Sequence, residues 1–147
     1  MPSAIDFASF AWIAAHPWLY PALESVHLVG IAIFIGSLVL VELRMLGLGA
    51  ALPIAALGRF GLTVAWGGFG MAAGSGAMLF LASGEEILAN RAFLLKMALL
   101  VLAGLNAALY HGRGGFGRHD ATARAQTFVS LGTWLGIIIC GRWIAYV

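Results

Sequence analysis

Four ionisable residues interrupt stretches of this chain that are otherwise apolar. Glu24 and His27 fall in YPALESVHLVGIAIFIGSLVLV, Lys96 in AFLLKMALLVLAGLNAALY, and Arg142 in LGIIICGRWIAYV. An imidazole can ligate haem iron or carry a proton. A carboxylate one helical turn away can accept a hydrogen bond from one ring nitrogen, which orients the ring and raises its basicity as a ligand. Lysine and arginine can neutralise that carboxylate or the acid groups of an anionic ligand. His27 follows Glu24 by three positions, and Gly30, Phe34 and Ser37 continue its face at helical spacing. Charges inside a membrane span are expensive and usually face the interior of a bundle. Coupling among Glu24, Lys96 and Arg142 is therefore expected, with His27 beside them.

A haem ligand at His27 requires a decision about the opposite axial position. Met78 and Met97 lie at similar depth, and His16 could fold back from the preceding segment. His111 is the other candidate metal ligand in a span, but by helical rise it lies about 18 Å lower than His27, so one haem cannot use both. A second polar cluster, YHGRGGFGRHD, holds His111, Arg113, Arg118, His119 and Asp120. It reads either as a solvated loop or as a metal site from His111, His119 and Asp120, although the spacing matches no strong zinc motif. Walker, GxSxG and HExxH motifs are absent, as are paired carboxylates in the apolar runs, so hydrolysis and phosphoryl transfer have no support. The single cysteine, Cys140, excludes an internal disulfide and a CxxC site.

The elements that must position these residues follow from composition. The 147 residues are 62% hydrophobic and 10% charged, with a mean hydropathy of +0.98. Too few polar residues exist to cover a water-soluble globule. Four apolar runs, at 20–41, 60–82, 92–110 and 125–147, approach the roughly 20 residues a crossing helix needs. The reading is an all-α polytopic membrane protein: a single transmembrane domain over 1–147, folded as a four-helix bundle and surrounded by the lipid bilayer. FASFAWIAAHPWLYP suits a short N-terminal interfacial helix, and MPSAIDFASF lacks the positive region of a signal peptide, so the chain is expected to be mature from its first residues.

Arg44 and Arg59 lie in the first loop, and Arg113, Arg118 and Arg124 in the third, while the second holds Glu85 and Glu86. The positive-inside rule then predicts both termini on the periplasmic side of a bacterial inner membrane. The net charge of +2 provides no basic stripe for nucleic acid. On the second span Thr63, Gly67, Gly70, Gly74 and Ala77 share a face that includes the GxxxG match GMAAG. That face is expected to pack against another helix, to border a flat cofactor, or both.

YPALESVHLVG, ELRMLG, KMALLVLAGLNAALYH and GRWIAY resemble a group of small bacterial four-span membrane proteins of unknown function, over about Trp18 to Val147. A more distant likeness is to the copper-resistance membrane protein D group and to b-type cytochromes with four-helix cores. That likeness implies haem or copper, while the chain departs from a bis-histidine cytochrome in lacking paired histidines at one depth. Three readings follow. In the first, an electron-transfer protein binds haem b through His27, with Glu24, Lys96 and Arg142 nearby, Gly70 and Gly74 bordering the ring, and Met78 or Met97 opposite. In the second, a non-catalytic accessory subunit assembles with other membrane-complex subunits or with copies of itself. In the third, Glu24 and His27 serve a proton or ion path. No enzymatic step beyond a redox role is indicated.

Overall fold

The computed structural model describes residues 6–117 and 120–146. They form helices throughout, with no strand among the described residues, and four helices are long and apolar enough to cross a membrane. A 3-10 turn at Phe7–Phe10 leads into α1 (Ala11–Ala15). The four long helices are α2 (Leu19–Met45), α3 (Ile54–Leu88), α4 (Arg91–Gly112) and α5 (Ala121–Trp143).

Polar caps rather than hydropathy set several helix ends. The His16 ring nitrogen Nδ1 accepts from the amides of Trp18 (3.3 Å) and Leu19 (3.1 Å) where α2 begins. Asn90 caps α4 by accepting from Phe93 N at 3.1 Å, and Asp120 caps α5 by accepting from Ala123 N at 2.8 Å. The Asp120 cap starts α5 four residues before the apolar run, and the helix closes at Trp143. At its far end α2 continues through Met45, so Glu42, expected in a loop, belongs to the helix. Helix α3 runs on past the expected end to Leu88, with a break at Ser83 (φ −138°, ψ 21°).

The bundle is built from two antiparallel hairpins. Helices α2 and α3 cross closely because glycines remove the side chains between them. A methyl group at Gly30 would lie 2.6 Å from Ala72 N, and one at Gly68 would lie 2.5 Å from Phe34 N. The contacting face of α3 thus runs through Gly61, Ala65, Gly68, Ala72 and Ser75, all buried. This corrects the expected packing face: Thr63, Gly67, Gly70, Gly74 and Ala77 are exposed, and a methyl group at Gly67, Gly70 or Gly74 would meet nothing within 4 Å. The reason is helical phase, since Gly70 and Gly74 sit two residues, about 200°, beyond Gly68 and Ala72.

Helices α4 and α5 are joined at both ends and in the middle. The Asn90 amide donates to Ile144 O (3.0 Å), the Asn106 amide donates to Gln126 O (2.9 Å), and Arg113 pairs with Asp120 (3.2 Å). Aromatic contacts connect the hairpins: Phe34 meets Trp134 edge-on at 4.5 Å, and Phe80 stacks on Phe93 at 5.5 Å. Large apolar side chains turn outward around the bundle, among them Phe60, Trp66, Val101, Leu109 and Phe128. Such a surface suits hydrocarbon and would be an aggregation hazard in water.

The N-terminal segment, read as a short interfacial helix, docks against the bundle. Phe7 and Ile13 are buried, and Phe7 meets Phe80 edge-on at 5.6 Å. At the opposite end the glycines of the 112–117 stretch form a compact turn, with Gly114 and Gly115 at positive φ. The turn lays Phe116 against Gly58 of α3 and between Tyr110 and His111.

Candidate functional site

His27 is half-buried at the α2–α3 crossing. Its Nδ1 lies 2.7 Å from Ala72 O and 3.3 Å from Ser75 Oγ. A carbonyl only accepts, so Nδ1 carries the ring proton and donates it. Ser75 itself donates to Met71 O at 2.7 Å, which fixes its hydroxyl beside the ring. The imidazole lies over Gly76, where a methyl group would come within 2.9 Å of Cε1. Nε2 therefore retains its lone pair, and no hydrogen bond from another described residue reaches it.

The expected four-charge layer is only partly assembled. Lys96 on α4 is half-buried and lies within electrostatic reach of His27. Its ammonium is beside α5, at 3.7 Å from the place a Gly141 methyl group would occupy, and near Cys140. It forms no ion pair among the described residues. Glu24 does not orient His27: it is exposed on α2, and Ala72 O accepts the ring hydrogen bond that Glu24 was expected to accept. Arg142 is also exposed. It turns to the end of its own helix, donating to Tyr146 Oη at 2.6 Å with its guanidinium 5.1 Å from the ring centroid.

The coupling expected among Glu24, Lys96 and Arg142 is thus absent as direct ion pairing among the described residues. Glu24→Gln is accordingly expected to change stability by no more than about 0.5 kcal/mol, the usual range for an exposed site. Thermal unfolding in detergent measures this, and a loss of several times that size would reveal a partner for the carboxylate.

The remaining candidates are dispersed. Gly70 and Gly74 face away from His27, whose slot is made by Ala72, Ser75 and Gly76. Met78 follows Gly76 by two residues and is 39% exposed, while Met97 is half-buried next to Lys96 in sequence. His16 is engaged as the cap of α2. His111 lies at the other end of the bundle from His27, stacked edge-on with Tyr110 and Phe116. His119 and Arg118 lie outside the described residues, and no group of three metal-ligating side chains occurs among the described ones.

One residue was missed altogether. Glu42 is 5% exposed, and its Oε2 has no hydrogen-bond partner among the described residues. It borders a partly open cavity of about 70 Å³ between α2, α3, α4 and α5, with Asn106, Tyr110, Gln126, Thr127 and Ser130 among its neighbours. The nearby Arg44 is not its partner, since that guanidinium donates to Leu52 O (2.7 Å) and Ala50 O (3.3 Å) and ties down the following turn. A signal for Glu42 was available: it lies four residues after Leu38 in a helical register that the ELRM segment can continue.

No family model, characterised protein or solved structure matches the chain.

Proposed function

We propose that the chain is a multi-pass protein of the bacterial inner membrane that binds haem b at His27 and takes part in electron transfer. The observation that carries this reading is the imidazole: Nδ1–H is held by Ala72 O while Nε2 keeps an unclaimed lone pair. That is the usual second-sphere arrangement for a histidine ligand, in which one ring nitrogen is anchored so that the other faces the metal. Lys96 supplies a cation without an ion-pair partner among the described residues, chemically suited to a propionate. Bound haem would supply one-electron chemistry, and the chain's own residues orient the ligand, balance the acid groups and exclude water.

Purified protein, made with ample haem supply, is expected to show a b-type absorption spectrum that responds to dithionite. A colourless protein that also fails to take up added haemin overturns the reading. In that event the accessory-subunit reading moves ahead, supported by the exposed small-residue face of Thr63, Gly67, Gly70, Gly74 and Ala77, which would let another membrane helix approach closely.

The loop charges support an orientation with both termini in the periplasm. A cysteine introduced at Glu86 is then expected to react with an impermeant maleimide from outside intact spheroplasts, and one at Arg59 only after permeabilisation. The reverse pattern would place the His27 layer at the cytoplasmic face.

A further inference from the structure

The Glu42 chamber lies at the opposite end of the bundle from His27 and has no part in the haem reading. Three of its polar groups each direct a hydrogen away from it. Thr127 donates to Ala123 O at 3.0 Å, the Asn106 amide donates to Gln126 O at 2.9 Å, and Tyr110 donates to Met45 Sδ at 3.6 Å. Their oxygens keep lone pairs available to a ligand. Ser130 adds a hydroxyl, and Glu42 adds a carboxylate that is 5% exposed and has one oxygen unpartnered among the described residues.

Arg113 approaches the rim but directs its guanidinium to Asp120 and to Gln126 Oε1, each at 3.2 Å. Among the described residues, His111 is the only other titratable group bordering the cavity besides Glu42 and Tyr110. A buried carboxylate without a countercharge is costly, and a set of oxygen acceptors is the environment a hard cation takes. One carboxylate matches a single positive charge, whereas divalent sites usually recruit several. The volume of about 70 Å³ admits a small ion and a few waters, at roughly 10–15 Å³ for each water.

We infer that this chamber binds one sodium-sized monovalent cation, with Glu42 supplying the charge and Asn106, Thr127 and Ser130 supplying neutral oxygen ligands.

The test uses the full chain in detergent with radioactive sodium in equilibrium dialysis, and melting temperatures with NaCl exchanged for choline chloride at constant ionic strength. Saturable binding of one sodium ion per chain is expected, together with a melting temperature that climbs with the logarithm of sodium concentration. Glu42→Gln should abolish both effects, and Ser130→Ala and Thr127→Val should each weaken sodium binding several-fold. The two milder variants keep the test decisive if Glu42→Gln fails to fold. Absence of sodium binding in the parent, or sodium binding indifferent to Glu42→Gln or to both milder variants, overturns the proposal. So does a protonated-carboxyl infrared band, lost in Glu42→Gln, that sodium leaves unchanged, because the chamber would then hold a proton. Haem content plays no part in these readouts, so failure here is distinct from failure at His27.

Discussion

Gly68→Leu is expected to force α2 and α3 apart. Even the first carbon of a side chain at position 68 would lie 2.5 Å from Phe34 N, 2.8 Å from Gly30 O and 2.9 Å from Ile33 Cγ2. Two of these atoms belong to backbone and cannot rotate away. Separation of the helices would also stretch the bond from His27 to Ala72 and open the contact of Val41 with Gly61. Overpacking in a closely packed interior costs about 1–3 kcal/mol, and a leucine wedged between two backbones should reach or exceed the upper end. Gly67→Leu is the matched control, because that site meets nothing within 4 Å and is exposed. The two variants have identical composition and differ by one position. Thermal unfolding in detergent should show a large loss for position 68 and little change for position 67. Equal melting temperatures would mean that the helices are not in close contact along this line.

The second large effect concerns His27→Ala, for which complete loss of the b-type spectrum is expected. The substitution removes the only imidazole whose Nδ1 is anchored by Ala72, and no other described histidine lies near that depth with a free nitrogen. His16 is occupied at the start of α2, and His111 is at the other end of the bundle. Ser75→Ala removes only the longer 3.3 Å contact and leaves the Ala72 carbonyl in place, so haem affinity should fall by at most about tenfold, the lower end for loss of a supporting hydrogen bond. Lys96→Met should weaken affinity while leaving the band positions nearly unchanged, since a propionate partner does not touch iron. An unaltered spectrum in His27→Ala would place the cofactor elsewhere. A His27→Ala protein that loses colour but unfolds at the parent's temperature would separate ligation from folding.

The helices were legible in the sequence because each apolar run is as long as a crossing requires, and four helices stand over those runs. Their ends were less legible. Asp120, Asn90 and His16 set helix starts through one or two side-chain hydrogen bonds, and a hydropathy window averages such residues away. Glu42 was lost for the same reason: a charge at the edge of an apolar run reads as the start of a loop, whereas α2 carries it inward for one more turn. The glycine face of α3 failed differently. That helix has two small-residue stripes, and periodicity alone cannot choose between them. The choice is made by the partner, where Gly30 and Phe34 on α2 match Gly68 and Ala72. Depth estimates brought His27 and Lys96 to one level, but depth gives no azimuth, and Glu24 and Arg142 at that level point outward.

The docking of Phe7 imposes an order of events during synthesis. Its ring rests against Phe80 and covers Gly84, where a side chain would collide with it. The seventh residue thus has no seat until the eighty-fourth has emerged and the second long helix has threaded into place. Phe7 must therefore wait, while about 77 further residues pass, before that contact can form.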